Sequence, residues 1–345
     1  MQKKIRYSVE LVRKAEKLAL AYDPVDGFYN TFSGGKDSQC LYHIVQMANV
    51  KHKTHMSLTS VDPPEVIRFV RKHYPDVELI KPKRSIFQSA IDRRILPTMR
   101  VRWCCAEYKE ATGAGKVTLI GIRHAESSRR AGRNEVEISN RKFSGDLEGL
   151  EQYRKDNNHP KRGRKPKGFK ETTIVNADGE RVLGCIRGQE SLLISPIIHW
   201  SDSDVWTFLN TLGIAHCELY DQGWHRIGCI NCPMASTKQK MKENERWPHV
   251  KRNWIRAIKA IRRGGVFERE FIWWNIPSDL TPCRNVGNRL RGGGLSEART
   301  RDTSSTANGC KPRLNSYQKD IWRLPPPTAT HQHGALGRVF RQLLF

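Results

Sequence analysis

Two groups of residues in this chain are spaced for chemistry. The first is Ser33-Gly34-Gly35-Lys36-Asp37-Ser38. Before it, Gly27-Phe28-Tyr29-Asn30-Thr31-Phe32 reads as a short buried strand, and after it residues 39–47 read as a helix with an apolar face. A glycine-rich turn between strand and helix lets successive backbone N–H groups converge on a phosphate at the helix N-terminus. The glycines allow close backbone approach and positive φ, Ser33 and Ser38 add hydroxyl donors, and Lys36 adds a mobile positive charge. Asp37 is suited to orienting the loop or helping to hold Mg2+. A plain surface turn with a serine cap is the simpler alternative, and the flanking strand and helix weigh against it. The spacing is not that of a Walker A loop.

The second group is drawn from nine cysteines, of which Cys104-Cys105 and Cys229-Ile230-Asn231-Cys232 are paired in sequence. A C-x-x-C turn can place two thiolates on one metal centre, and adjacent cysteines can both reach that centre only on a bent backbone. Four thiolates suit either zinc or an iron–sulfur cluster, and spacing does not choose between them. A redox dithiol or unligated thiols are the remaining readings. Cys40 falls on the apolar side of the first helix and reads as core, while Cys185 and Cys217 read as structural, Cys217 also being a spare ligand. A third segment, Gly121-Ile122-Arg123-His124-Ala125-Glu126-Ser127-Ser128-Arg129-Arg130, follows the apolar run Val117–Ile120. Strand C-termini line the ligand crevice of open parallel sheets, so this segment is expected to face the same ligand as Ser33–Ser38. Its alternative is a solvated basic loop.

These segments resemble a known superfamily. The loop matches S-G-G-x-D-S of the N-type ATP pyrophosphatases, the PP-loop enzymes. Within that superfamily, CC followed downstream by C-x-x-C resembles the iron–sulfur members of the PAPS/APS reductase family. Residues 121–130 are similar to that family's G-x-R-x-x-E-S-x-x-R segment, and Pro196 to Trp206 to its P-I-x-x-W-x-x-x-D-V-W pattern. The approach Leu219–Gly228 to the second cysteine pair is similar too, so the resemblance runs from about Phe28 to Pro233. It implies an adenine nucleotide, ATP or else PAPS/APS, held by Ser33, Gly34, Gly35, Lys36, Asp37, Ser38, Gly121, Arg123, Glu126, Ser127 and Arg130. Lys36 and Asp37 would be catalytic, with Mg2+ as cofactor. Cys104, Cys105, Cys229 and Cys232 would carry a 4Fe–4S cluster, with zinc less favoured. His199 and Trp206 are expected to pack.

Three activities fit this resemblance. One is ATP-dependent activation followed by sulfur transfer to a nucleic acid, tRNA or DNA, from a sulfur donor. Another is PAPS or APS reduction with a thioredoxin-like reductant, and a third is non-catalytic binding with a structural metal. The intact Lys36-Asp37 loop favours ATP. Neither Cys283 in Thr-Pro-Cys-Arg-Asn nor Cys310 in Asn-Gly-Cys-Lys-Pro matches the reductases' E-C-G-x-H-type segment.

To position such residues the chain needs a doubly wound, mostly parallel α/β sheet. Strands are expected at residues 28–32, 54–58, 77–80, 117–122 and 193–197, alternating with helices at 39–48, 64–73 and 86–93. A basic helix at about 9–22 fills the N-terminal unit, 1–26. The nucleotide and cysteine unit covers 27–235, with an aperiodic basic insertion at about 141–189. A basic helical extension covers 236–281, and 282–345 reads as disordered or as an out-of-frame extension.

The formal charge is +25. Arg154–Lys170 holds eight basic residues and one acidic residue, and the tail from Thr281 eleven against three. Such a balance favours a polyanionic partner. Lys161, Arg162, Arg164, Lys165 and Lys167 are the nucleic-acid candidates, a flexible basic loop in which Lys165 interrupts an AT-hook-like core. No membrane anchor or lipidation motif is apparent. The odd cysteine count and the lack of a signal peptide point to the cytoplasm.

Overall fold

A computed structural model describes residues 1–110, 112–138, 143–157, 173–175, 181–183 and 192–262. Two N-terminal helices, α1 (Gln2–Lys14) and α2 (Glu16–Tyr22), precede β1 (Phe28–Thr31), α3 (Lys36–Ala48), β2 (His52–Ser57), α4 (Pro64–His73), β3 (Glu78–Ile80) and α5 (Ile86–Arg93). A short turn, α6 (Trp103–Cys105), continues as one wide π-type turn to Glu110. After it come β4 (Val117–Leu119), α7 (Ser128–Ala131), β5 (Val136–Ile138), β6 (Ser144–Gly145) and α8 (Leu147–Asn157). The chain ends its described part with the β7 (Thr173–Val175) and β8 (Arg181–Leu183) pair, β9 (Leu192–Ile194), α9 (Asp202–Thr211), α10 (Thr237–Arg246) and α11 (Pro248–Arg262).

Seven strands form one sheet in the order β3-β2-β1-β4-β9-β5-β6. The pairings β3-β2, β2-β1, β1-β4 and β4-β9 are parallel, while β5 runs antiparallel to β9 and β6. The fold is therefore the expected mostly parallel α/β sheet. Chain order reverses between β1 and β4, the place where open sheets of this kind leave a crevice at their carboxyl edge. Ser33–Ser38 and Gly121–Arg130 follow these two strands.

Two cores hold the layers. One gathers Ile5, Val9 and Val12 of α1, Leu41 and Ile44 of α3, the inner strands and Phe208 of α9. The other gathers Val66 and Val70 of α4, Phe87 of α5, Leu219, Trp224 and Ile230, and Trp254 of α11. The α1 stripe begins at Ile5, so the first helix starts at Gln2, earlier than the expected Val9, and breaks at Ala15. Pro248 likewise divides the expected C-terminal helix into α10 and α11. Within the stretch read as aperiodic, β6, α8 and the β7-β8 pair are regular; Leu150 of α8 is buried in the first core. Lys161, Arg162, Arg164, Lys165 and Lys167, Cys185, Cys283, Cys310 and the tail 282–345 lie outside the described residues.

Candidate active site

The turn after β1 is built by its own small residues. Gly34 has φ +72°, and a Cβ there would stand 2.6 Å from Val66 Cγ1, so both backbone and space reserve the position for glycine. Gly35 is the N-cap of α3. The Ser38 hydroxyl donates to the Gly35 carbonyl at 2.8 Å and accepts the Ser33 N–H at 3.2 Å, with Ser33 Oγ 3.1 Å away. Both serines thus fasten the loop to itself. The Lys36 N–H, first of the helix, donates to Tyr220 Oη at 2.8 Å.

Behind the loop lies a closed set of four charges. Lys36 Nζ stands 3.3 Å from Asp37 Oδ1 and 3.2 Å from Asp202 Oδ1. Arg123 Nε donates to Asp37 Oδ1 at 2.8 Å, its Nη2 to Asp202 Oδ1 at 2.5 Å and its Nη1 to the Trp200 carbonyl at 3.1 Å. The Arg123 side chain is fully buried, so its fork supports the loop from behind and does not open toward the crevice. Burial alone would raise the Asp202 carboxyl; the Arg123 hydrogen bond and the Lys36 charge outweigh it and hold the group below its ordinary value. Gly121 lets the two loops cross closely, since a Cβ there would lie 3.1 Å from the Asp37 carbonyl oxygen. Glu126 accepts the Arg123 N–H at 2.9 Å and pairs with Arg130, whereas Ser127 is exposed.

Residues 212–232 close over this edge. Gln39 Nε2 donates to the Ala215 carbonyl at 2.7 Å, and the Ile230 N–H donates to the Val61 carbonyl, also at 2.7 Å, in the loop after β2. Cys229 Sγ lies 3.5 Å from Thr59 Oγ1 in that loop. The second cysteine pair therefore sits on the same sheet edge as the phosphate loop. Asn231, left-handed at φ 57°, makes the C-x-x-C turn, and its N–H donates to Glu243 of α10 at 2.6 Å.

Cys104 feels the charges of Cys105, Cys229 and Cys232, so the two cysteine pairs lie within electrostatic reach of each other. A hydrogen bond from Cys104 lowers the Cys105 thiol to about 5, with Arg102 Nη2 3.2 Å from its sulfur. The same contact, with burial and the charges of Cys229 and Cys232, pushes Cys104 up. Burial raises Cys229 and the Lys109 ammonium opposes it; Lys109 is raised in turn by Cys229. Lys240 is lowered by burial, with Cys232 opposing. Among the described residues, no three His, Cys, Asp or Glu side chains are grouped to hold a single metal ion. Cys40 and Cys217 are buried in the cores as read from sequence.

Residues 28–235, well over half of the chain, match the family model of the phosphoadenosine phosphosulfate reductase domain. The chain belongs to the PAPS reductase family. An uncharacterised protein of Methanocaldococcus jannaschii is 24% identical over 74% of this chain and 54% of its own length. The chain thus spans about half the length of that curated relative. An adenosine 5'-phosphosulfate reductase of Bacillus mycoides is 20% identical over 62% of this chain and 76% of its own. Among solved structures, phosphoadenylyl-sulfate reductase from Candida auris aligns with TM-score 0.37 and 14% identity, covering 65% of this chain and 95% of that one.

For this PAPS reductase family chain, sequence reading missed Asp202, Tyr220, Lys109 and Thr59. Either Ser201 or Asp202 is suited by type to cap α9; Ser201 is the cap, its Oγ accepting the Asp204 N–H at 3.1 Å, which leaves the Asp202 side chain for Lys36 and Arg123. Trp206 packs edge-on against Tyr220, whereas His199 is exposed, with its ring centroid 5.1 Å from that of His124. The cysteine-bearing segments also carry exposed apolar residues, Met99, Val101, Met234 and Met241, and exposed cations, Arg94, Arg100, Arg102, Lys238 and Lys242.

Proposed function

We propose that this protein activates an acceptor with ATP and transfers sulfur to it, the acceptor being a nucleic acid. The reading is carried by one observation: an intact S-G-G-K-D-S loop, with Lys36 tied into a four-charge set, shares its sheet edge with Cys229, and the charges of Cys229 and Cys232 reach Cys104. In this reading Ser33–Ser38 hold the pyrophosphate end of ATP. An acceptor oxygen attacks the α-phosphorus; the new P–O bond replaces the bond to pyrophosphate, which departs with Lys36 balancing its charge. A sulfur nucleophile then displaces AMP from the adenylated acceptor. Cys104, Cys105, Cys229 and Cys232 would hold a 4Fe–4S cluster, whose surplus negative charge suits the collar of Arg102, Lys109 and Lys240. Such a cluster supplies sulfur-handling or redox chemistry beside the nucleotide. Cations flanking the cysteines and the +25 balance support a polyanionic acceptor.

A second reading is reduction of an adenylyl sulfate to sulfite. The likeness to proteins named adenosine 5'-phosphosulfate reductase favours it. One anaerobic assay separates the two, with ATP plus bulk RNA or DNA in one arm and APS or PAPS plus thioredoxin in the other. Pyrophosphate release in the first arm, abolished by Lys36→Ala or Asp37→Ala, is the expected result. Sulfite from the second arm alone would replace the first reading by the second. Broad absorbance near ~400 nm, lost in Cys104→Ser, would mark the cluster; a colourless protein with stoichiometric zinc would rule it out.

A further inference from the structure

We infer that Asp202 makes the phosphate loop selective for a nucleotide that arrives with a divalent cation. The inference rests on the nucleotide reading above and concerns a residue outside the loop itself. Lys36 and Arg123 are the cations of the four-charge set, and Asp37 and Asp202 already match them one for one. Arg123 is fully buried, and its donors go to these two carboxylates and the Trp200 carbonyl. Asp202 is different: its side chain is 69% exposed while one oxygen is anchored at 2.5 Å to the buried guanidinium. It cannot swing away without leaving Arg123 half-matched in the interior, which is costly for a buried charge.

A fixed carboxylate therefore stands beside Lys36 at the rim where the phosphates must enter. Metal-free ATP brings several negative charges to a set that is already neutral and to an exposed anion. Like charges at contact range oppose one another by an amount that water only partly screens. A divalent cation riding on the phosphates removes most of that opposition and meets hard oxygen donors. Lys36 has three donor hydrogens, and two face Asp37 and Asp202, so one is left for the ligand. Asp202 thus acts as a specificity-determining residue through charge and takes no part in bond making.

Equilibrium calorimetry with ATP, in excess Mg2+ and in EDTA, tests this on the full chain. Wild type is expected to bind the Mg2+ complex and to bind metal-free ATP far more weakly. Asp202→Asn keeps the size and one acceptor oxygen, and should tighten metal-free binding by about tenfold, the scale of one partly screened charge. Binding of the Mg2+ complex should change much less. Asp202→Glu, which keeps the charge, should retain the wild-type preference. Metal-free binding that weakens in Asp202→Asn, or an unchanged ratio between the two conditions, overturns the inference and leaves Asp202 as a support for Lys36. Wild type that binds adenosine phosphosulfate and ignores ATP in both conditions overturns the ATP reading instead. The same ratio measured on the sulfonucleotide then decides the role of Asp202.

Discussion

Lys36 and Arg123 carry the same charge on the same sheet edge and have opposite freedoms. Arg123 donates in three directions to fixed oxygens and is sealed in, so its planar fork serves as scaffold. Lys36 Nζ pairs with two carboxylates, those of Asp37 and Asp202, and keeps one donor hydrogen beyond those contacts. A third basic residue, His43 of α3, is buried against Tyr74 Oη at 3.3 Å, and burial lowers it to about 4 from 6.5. An imidazole kept neutral in the fold and free to charge when unfolded stabilises the protein fully above pH 6.5. That stability is lost as pH falls toward 4 and amounts to roughly 3 kcal/mol at full strength. Urea unfolding between pH 7.5 and 4.5 should show this slope, and His43→Gln should flatten it. A variant that keeps the wild-type slope would assign the acid sensitivity elsewhere.

At the scale of elements, α5 and α11 pack on each other within the second core. Trp254 of α11 meets Phe87 of α5 edge-on, with ring centroids 4.9 Å apart and planes at 71°. Trp254→Ala should cost about 3–5 kcal/mol in chemical denaturation, and Trp254→Phe should recover much of it. A loss under 1 kcal/mol would mean that α11 contributes little to the second core. Local signals made several elements readable in advance. Pro63-Pro64 opens α4 and Ser85 caps α5, and both helices keep the bounds expected for them. Strands β5 and β6 are three and two residues long and leave no period to read. The phosphate loop was legible because its glycines and serines act within six residues. Asp202 and Tyr220 were not, because each acquires its role only when the sheet brings distant segments together; Tyr220 meets Lys36 across 184 positions.

At the scale of the molecule, charge is the dominant property. Lys161, Arg162, Arg164, Lys165 and Lys167 form the densest basic run of the insertion. Replacing all five by glutamine should weaken binding to bulk duplex DNA or RNA. The log–log salt slope should also flatten by roughly 0.9 for each lost phosphate contact on B-form DNA. Unchanged affinity and slope, or no binding by the wild type, would show that these five residues carry no nucleic-acid contact. The hydrogen bond from the Lys36 N–H to Tyr220 has a consequence in time. During synthesis the phosphate loop emerges early, and the hydroxyl that completes its helix start follows 184 residues later. At ribosomal speeds of about 5–20 residues per second, the nascent chain carries an unfinished loop for roughly 10–40 s. A growing chain therefore cannot complete the start of α3 until the segment that leads into the second cysteine pair has been made.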